Sequence, residues 1–323
     1  MSSEFDIIQD YFNWQATSNS VRVGIGDDAA VLSLANRQGQ ELIVSVDTFI
    51  EGVHFPEKTS AEAIGHKALA VNLSDLAAMG AEPAWFTLAI SLPEANLSWL
   101  KKFSNGLKNL ADQHNIALIG GDTTRGALSI TIQVMGFVET GKALLRSTAK
   151  PKDKIYVSGN LGDAAIGLAI IQNRLDADAL SEKAKIYCQK SLDFPQPKNT
   201  LSKLIQPYVN ACVDISDGLL QDLAHILKAS QLGAQLNLDN IPLSSAALLL
   251  GKKQALPYAL SGGDDYQLLF TVTPEKEAVL LNKIQQADIK ISCIGEINTD
   301  TLVIVDQSGK AISATGYQHF YGE

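Results

Sequence analysis

The sequence predicts an α/β (α+β) fold of two domains. Two observations predict it. The chain has 323 residues, 46% of them hydrophobic, which suits two domains of ~150 residues that each bury a core. Strand-like and helix-like segments also alternate through both halves. A polar stretch at residues 149–154 interrupts the alternation. We therefore predict an N-terminal domain at 1–148 and a C-terminal domain at 149–323.

The N-terminal half alternates β-branched strands with amphipathic helices. Its predicted elements are a strand at 42–46, a helix at 60–79, a strand at 84–92, a helix at 100–114, and strands at 116–119 and 128–134. Asp47 is expected to close the first strand. Ser60 suits the N-cap of the first helix, and Gly80 suits its end. The second helix is the clearest, because its apolar residues recur at the helical period.

The C-terminal half repeats the alternation with new elements. They are strands at 155–158, 211–214, 267–273, near 291 and near 302, and helices at 163–172, 218–229 and 274–286. Turn residues separate them, such as the glycine-containing turn at 159–162. Mixed strands and helices in both halves predict two layered α/β domains.

The composition excludes several classes of partner and location. Lys and Arg total 26 against 35 Asp and Glu, a net charge of −9. Such a surface repels phosphate backbones and anionic lipids, so neither a nucleic acid nor a membrane is expected as a partner. The three scattered cysteines fit no metal or disulfide pattern. The first residues do not resemble a signal peptide, and no apolar run reaches the ~18 residues that span a bilayer. We therefore expect a cytoplasmic protein.

Carboxylates recur beside glycines, where the predicted strands end. They are Asp27, Asp28, Asp47, Asp75, Asp122, Asp214, Asp217, Asp264 and Asp265. One aspartate before a turn is usually a cap or turn residue. Several that converge would repel each other unless cations neutralised them, and all-oxygen ligands favour hard ions such as Mg²⁺. The pattern thus indicates an acidic protein that handles a phosphate substrate through metal ions.

Other nucleotide-binding signatures fit poorly. Residues 24–29 match the dinucleotide-binding pattern, but two adjacent carboxylates would oppose a pyrophosphate. No P-loop and no protein-kinase signature is present. Among the histidines, His54 stands in a loop after Asp47 and is the best candidate for a role. Arg146, Arg125 and Lys67 could bind phosphate or could be surface charges.

Six ordered motifs together resemble those of the thiamine-monophosphate kinases. They are Gly24-Ile25-Gly26-Asp27-Asp28-Ala29-Ala30, Asn72-Leu73-Ser74-Asp75-Leu76-Ala77-Ala78-Met79-Gly80, Gly120-Gly121-Asp122-Thr123-Thr124, Asp214-Ile215-Ser216-Asp217-Gly218-Leu219, Ser261-Gly262-Gly263-Asp264-Asp265-Tyr266 and Gly316-Tyr317-Gln318-His319-Phe320. The resemblance spans essentially the whole chain, and it is more specific than any single motif.

The resemblance implies the fold of the aminoimidazole ribonucleotide synthetase-like superfamily. In that fold the N-terminal domain has a mixed sheet, pairs with a second copy to form a homodimer, and bounds the cleft that holds ATP. The implied activity makes thiamine diphosphate from thiamine monophosphate and ATP by direct phosphoryl transfer with several Mg²⁺ ions. Positioning and charge neutralisation do most of this chemistry, so no catalytic side chain is assigned.

The resemblance also implies site residues. The metal positions are Asp28, Ser45, Val46, Asp47, Asp75, Asp122, Asp214 and Asp217. The ATP contacts are Gly121, Asp122, Arg146 and Ser216, and the thiamine monophosphate contacts are His54, Asp264 and Tyr317.

Two positions depart from the family pattern. Val46 stands where a hydroxyl residue is usual: if this position binds metal through its backbone carbonyl, nothing is lost, and if it binds through a hydroxyl, one ligand is missing. Asp264 replaces a glutamate, and its reach is one methylene shorter. Two alternatives stay open: another ATP-dependent synthetase of the superfamily, and a non-catalytic protein that binds Mg-nucleotide. ADP release with thiamine monophosphate or with aminoimidazole precursors would separate them.

Overall fold

The computed structural model describes residues 4–14, 20–25 and 29–317. These residues divide into two compact units. The first comprises the described residues up to Leu76 together with Ala81–Ala143, and the second comprises Ala77–Gly80 with the described residues from Leu144 onward. Each unit contains its own sheet and its own helices. The division of the chain into a nucleotide-binding domain and a substrate-completing domain remains a prediction.

The described strands are numbered along the chain. They are β1 Val21–Val23, β2 Val31–Leu32, β3 Gln40–Ile50, β4 Glu82–Leu92, β5 Ala117–Arg125, β6 Ser129–Glu139, β7 Lys154–Ser158, β8 Val209–Ile215, β9 Gly233–Leu236, β10 Gln267–Val272, β11 Ile291–Asn298, β12 Ile304–Val305 and β13 Ala311–Ile312.

The described α-helices are α1 Glu4–Ile7, α2 Ala61–Ala78, α3 Leu97–His114, α4 Asp163–Ile171, α5 Glu182–Asp193, α6 Asn199–Ile205, α7 Leu219–Ser230, α8 Ser245–Leu248, α9 Lys252–Ser261 and α10 Pro274–Gln286. A π-helix covers Ile8–Phe12, and short 3₁₀ turns cover Arg146–Thr148 and Leu238–Asn240. No helix in the described part of the chain is long and apolar enough to cross a bilayer.

The first unit is built on a four-stranded sheet with the strand order β3-β6-β4-β5. Strands β4 and β5 are parallel, and the other two pairings are antiparallel. Helix α2 is buried along nearly its whole length, as its alanine-rich sequence favours. It lies close to α3, because a Cβ on Gly65 would stand 2.1 Å from the carbonyl oxygen of Phe103. Only glycine permits that approach.

Local features of the predicted helices agree with the structure. The Ser60 hydroxyl accepts the backbone N–H of Ala63 at 3.2 Å, as an N-cap should. Helix α2 ends before Gly80, whose φ is +74°. The apolar stripe of α3 is buried at Leu100, Phe103, Leu107 and Leu110. The mixed α/β class is confirmed in both units.

The prediction that Asp47 and Asp122 follow the ends of strands is wrong. Strand β3 continues to Ile50, because Thr48, Phe49 and Ile50 are β-branched or aromatic and pair with β6. Strand β5 likewise continues to Arg125 through its two glycines. Asp75 lies within α2, not beside a strand. The aspartates of the first unit therefore occupy the faces of regular elements.

The second unit is built on a seven-stranded sheet with the order β13-β12-β9-β11-β7-β10-β8. Its strands are antiparallel except for the pair β12 and β9. Apolar side chains of α7 pack with β7, β8, β9 and β11 in one core, and α6 and α10 contribute to another. Strand β8 leads directly into a turn at 216–218 and then into α7, so this turn is fixed by a buried strand and a buried helix face.

Candidate functional site

Three of the predicted metal ligands lie together in the first unit. Ser45 and Asp47 alternate along β3 and so share one face of the sheet. Helix α2 brings Asp75 to them, and the Ser45 hydroxyl donates to Asp75 Oδ2 at 2.5 Å. Burial, the negative charge of Asp75 and a hydrogen bond with Asp75 raise the pKa of Asp47 to about 7. The fold therefore holds two carboxyl groups together at a cost in electrostatic free energy.

This cluster suits a hard cation. All its donor atoms are oxygen, and a divalent ion would relieve the repulsion between the two carboxylates. Val46 lies on the opposite face of β3, and its side chain is 55% exposed. Its main-chain carbonyl is the atom through which it could join the cluster. Asp28, which is also predicted to bind metal, lies outside the described residues.

Gly121 and Asp122 border a cavity of about 560 Å³ in the first unit. Apolar residues of the π-helix and of β5 line much of it, together with residues of the first glycine motif: Ile8, Phe12, Leu118, Ile119, Gly24 and Ile25. A Cβ on Gly121 would stand 1.8 Å from the carbonyl oxygen of Leu88. Strands β4 and β5 are therefore so close at this point that only glycine fits. The cavity volume lies within the ~300–1,000 Å³ typical of small-ligand sites.

The sheet does not bring Asp122 to the Ser45–Asp47–Asp75 cluster. Asp122 pairs with Ala89, and Ala89 pairs with Thr131. Thr131 in turn pairs with Thr48, the neighbour of Asp47. Asp122 thus shares the face of Thr48, whereas Asp47 is on the other face. Strands β6 and β4 also lie between β3 and β5. Three inter-strand spacings of ~4.8 Å therefore separate the two backbones by roughly 14 Å.

His54 follows β3 and is held by local contacts. Its ring stacks on Phe49, with the centroids 5.3 Å apart. The backbone N–H of Ile50 donates to His54 Nδ1 at 3.0 Å. Because Nδ1 accepts this bond, the proton of the neutral ring lies on Nε2. His54 can therefore present an Nε2–H donor to an anionic group.

The second unit concentrates its predicted residues at the turn Ser216-Asp217-Gly218. The backbone N–H groups of all three residues donate to Oδ2 of Asp222, each at 3.1 Å. Asp222 is 2% exposed, and its burial followed by the charge of Asp217 raises its pKa to about 7. Ser216 and Asp217 themselves are only partly buried, so their side chains remain accessible. Asp214 is buried within β8.

The carbonyl groups of the same turn hold both predicted substrate residues of this unit. The N–H of Asp264 donates to the Ser216 oxygen at 2.9 Å, and the N–H of Tyr317 donates to the Asp217 oxygen at 3.0 Å. Gly316 is packed so closely that a Cβ would stand 2.7 Å from the Asp217 oxygen. Residues predicted to bind ATP, metal and thiamine monophosphate therefore meet at one turn.

The structure also distinguishes Asp264 from its neighbour. The Asp265 carboxylate is buried and accepts the N–H of Gly162 at 2.9 Å. Asp264 is partly exposed, has a φ of +70°, and accepts a hydrogen bond from the Tyr266 hydroxyl at 3.1 Å. Positive φ is uncommon outside glycine, and such strain is concentrated at functional sites. Asp264 is therefore the carboxylate available to a ligand.

Arg146 lies in the 3₁₀ turn that precedes β7 and is exposed. Burial lowers the pKa of His225 and the charge of Arg146 lowers it further, and the same charge opposes the burial that raises the pKa of Asp222, so the guanidinium lies near these two residues of α7. Lys67 is 2% exposed within α2 and is not a surface cation. Arg146 is thus better placed than Lys67 to meet a phosphate.

Sequence reasoning missed the residues that surround the turn. Asp222 and His225 occur at i and i+3 on α7, a spacing that places two side chains on one helix face. Together with Asp217 they offer ligand atoms within 4.8 Å of one another. The Asp222 oxygen that binds the turn is already engaged by three backbone N–H groups. The helical spacing is the available signal, but both residues lie beyond the acidic motif, which ends at Leu219.

Comparisons with known proteins agree along the whole chain. Residues 26–138 match the family described as AIR synthase related protein, N-terminal domain, and residues 150–306 match the corresponding C-terminal domain. The chain is 44% identical to the thiamine-monophosphate kinase of Escherichia coli strain K12 over 98% of each chain.

Solved structures give the same result. A thiamine-monophosphate kinase from Stenotrophomonas maltophilia K279a is 44% identical, covers 92% of this chain and 93% of its own, and superposes with a TM-score of 0.85. A structure described as AaThiL complexed with AMPPCP and TMP is 29% identical, with a TM-score of 0.78 and coverage of 94% and 93%. The chain therefore belongs to the thiamine-monophosphate kinase family of AIR synthase related proteins.

Proposed function

We propose that the protein transfers the γ-phosphoryl group of ATP to thiamine monophosphate and so forms thiamine diphosphate and ADP. One structural observation carries this proposal beyond the family relationship. The turn at 216–218 contains a predicted ATP contact and a predicted metal ligand, and its carbonyls bind the backbone of Asp264 and Tyr317. A turn of this kind suits a reaction in which two phosphate-bearing substrates must be aligned.

The acidic residues would hold Mg²⁺. In the first unit Ser45, Asp47 and Asp75 would do so, and in the second unit Asp217 would. When bound, the ions would neutralise phosphate charge that the carboxylates alone would repel. Asp28, Val46, Asp122 and Asp214 complete the proposed metal set. The donor chemistry of the described members, which offer only carboxylate, hydroxyl and main-chain carbonyl oxygens, supports this assignment.

The remaining residues bind and orient the substrates. The cavity beside Gly121 and Asp122 can take the apolar base of a nucleotide, and Arg146 can bind phosphate oxygens with its guanidinium. His54 can donate from Nε2. Tyr317 offers an aromatic face and Asp264 a carboxylate to the thiazolium cation. The acceptor phosphate has a second pKa of ~6, so it is anionic near neutral pH and needs no general base.

We also propose that the protein acts as a homodimer formed through the four-stranded sheet. The face of β3 that is not covered by helices exposes Leu42, Val44, Val46 and Ile50, each at least 44% exposed. The register places Asp122 on this same face. Pairing of two copies through this face would bring Asp122 of each copy to the interface. The free cysteines of the chain support the predicted cytoplasmic location.

The test is an assay of ADP release with thiamine monophosphate as the acceptor. We expect turnover that requires Mg²⁺, is abolished by excess EDTA, and yields thiamine diphosphate in amounts equal to ADP. Aminoimidazole precursors should give no ADP. Turnover only with those precursors would identify another synthetase of the superfamily. Binding of Mg-ATP without turnover of either acceptor would identify a non-catalytic nucleotide-binding protein.

A further inference from the structure

The side chain of Gln221 joins two segments that are distant in the sequence. It lies in the first turn of α7, and its Nε2 donates to Asp217 Oδ2 at 3.1 Å and to the carbonyl oxygen of Tyr317 at 2.7 Å. One amide group therefore contacts both the carboxylate proposed to bind metal and the backbone of the residue proposed to bind thiamine monophosphate. Tyr317 is 96 residues away along the chain.

Hydrogen bonds and one close backbone approach hold the segment Thr315-Gly316-Tyr317 against the turn and α7. Thr315 and Ser261 share a hydroxyl hydrogen bond of 2.6 Å, and the N–H of Tyr317 reaches the Asp217 oxygen at 3.0 Å. A Cβ on Gly316 would stand 2.7 Å from the Cβ of Gln221. Tyr317 is 44% exposed, and both its backbone N–H and its carbonyl oxygen are hydrogen-bonded to residues 217 and 221. These backbone hydrogen bonds help to set the point from which its ring projects.

The other half of the arrangement is rigid. Asp222 binds the three N–H groups of the turn and is buried, so the backbone of Asp217 is fixed by α7 itself. Gln221 is the adjacent residue and shares that fixed frame. It is only partly buried, and its two hydrogen bonds are made to acceptors in partly buried and exposed surroundings. Gln221 can therefore orient the C-terminal segment without contributing much to the stability of the fold.

We infer that Gln221 is a positioning residue that sets the place of Tyr317 against Asp217, so that affinity for thiamine monophosphate depends on it. This inference rests on the proposed function. Its chemistry needs the amide: a glutamate at this position would have no hydrogen to donate and would add a carboxylate beside Asp217. An asparagine would be one methylene too short to span both acceptors in the observed geometry.

The experiment measures binding of thiamine monophosphate by calorimetry and turnover by ADP release, in the full chain. Gln221→Ala should weaken thiamine monophosphate binding about 3- to 10-fold, the usual effect of losing a hydrogen bond such as the one to the Tyr317 carbonyl. Gln221→Glu should weaken it at least as much. The Michaelis constant for ATP should change less than 2-fold. The matched control is Gln286→Ala, an exposed helical glutamine whose side chain donates to Asn282 of its own helix.

If Gln221 mainly stabilised the fold, its replacement would lower the melting temperature and not specifically the affinity for thiamine monophosphate. We expect the melting temperature of Gln221→Ala to match that of Gln286→Ala within about 1 °C. In a Tyr317→Ala background the Gln221→Ala change should have no further effect on binding, because the ring it positions is gone. Additive losses in the double variant, or equal losses for both substrates, would overturn the inference.

The outcomes also separate this inference from the proposed function. If the parent binds and phosphorylates thiamine monophosphate while Gln221→Ala binds it equally well, only the inference fails. If the parent neither binds nor phosphorylates it, the proposed function fails, and the inference fails with it.

Discussion

The carboxyl group of Asp47 is partly buried beside Asp75, and its pKa is raised from 3.8 to about 7. In the unfolded chain the same group titrates near pH 4. Between these values the folded state binds more protons than the unfolded state, so stability falls as the pH rises from about 4 to about 7. Above pH 7 the loss is complete. Without divalent ions the acidic cluster therefore lowers the free energy of unfolding at neutral pH.

Replacement of Asp47 by asparagine should remove this cost. In EDTA at pH 8 we expect Asp47→Asn to melt roughly 2–8 °C above the parent, and at pH 5 to differ less. Turnover should nevertheless be almost lost, because the variant lacks a carboxylate that we propose to bind metal. Scanning calorimetry at the two pH values checks the first statement. Asp122→Asn, at an exposed position, is the control; a parent whose melting temperature rises between pH 5 and pH 8 relative to the variant contradicts the prediction.

Tyr317 gives a second prediction at the scale of one side chain. A cation–π contact with the thiazolium is worth ~1–2 kcal/mol, so Tyr317→Ala should raise the Michaelis constant for thiamine monophosphate roughly 5- to 30-fold. The ring is 44% exposed, so its removal should change the melting temperature little. Steady-state kinetics with each substrate varied in turn measures the effect. A similar increase for ATP would show that the ring does not recognise the thiamine moiety.

Among the elements, β5 offers a matched pair of glycines. A Cβ on Gly121 would stand 1.8 Å from the backbone of β4, whereas a Cβ on Gly120 meets nothing within 4 Å. Gly121→Ala must push the two strands apart and should destabilise the protein by more than ~2 kcal/mol. Gly120→Ala should change stability by less than ~1 kcal/mol. Thermal melting of both variants tests this; equal melting temperatures would mean that the strands adapt without cost.

Helices with strong local signals could be predicted from the sequence. Helix α10 spans the predicted residues 274–286, because proline starts it and the apolar period is clear. The buried stripe of α3 was predicted for the same reason. Helices α5, α6, α8 and α9 were missed, since they are short or weakly amphipathic. The ends of β3 and β5 were missed because their aspartates and glycines resemble turn signals, while pairing with distant strands keeps the backbone extended.

The residues of the candidate site, like the ends of these strands, could be predicted from the sequence only in part. The motifs identified Ser216, Asp217, Asp264 and Tyr317, but nothing local indicates that the backbones of Asp264 and Tyr317 bind one turn. Asp222 and Gln221 were missed because their roles exist only after the strand, the turn and the C-terminal segment have come together. Hydrogen bonds between residues far apart in sequence leave no periodic pattern, so they cannot be read from it.

For the whole molecule, the placement of Asp47 and Asp122 on opposite faces of one sheet leads to a test of the proposed homodimer. If each site takes Asp47 from one copy and Asp122 from the other, a mixed dimer of Asp47→Asn and Asp122→Asn chains contains one intact site. Equal mixing after denaturation and refolding should then restore about a quarter of parental turnover from two nearly inactive proteins. Mixtures as inactive as their components would show that each site uses a single chain.

The exposed β3 face gives a separate test of the same assembly. Val44→Lys introduces a charge on this face, where Val44 is 49% exposed. We expect sedimentation to show a monomer, because like charges would face each other across a two-fold axis. Val279→Lys is the control, since Val279 is similarly exposed on α10 of the second unit. A Val44→Lys dimer as stable as the parental one would rule out this face.

The return of residues 315–317 to the turn after β8 has a consequence for synthesis of the protein. A ribosome makes the turn about a hundred residues before the segment that binds its carbonyls, and chains emerge N-terminus first. Both sheets can pair most of their strands during this interval. The hydrogen bonds of Asp217 and Gln221 with the backbone of Tyr317 can form only after residue 317 has been made. A chain whose synthesis stops before residue 315 would therefore have nearly all of its described sheet structure and still lack the proposed contact for thiamine monophosphate. Synthesis through residue 317 would then be a condition for forming that proposed contact.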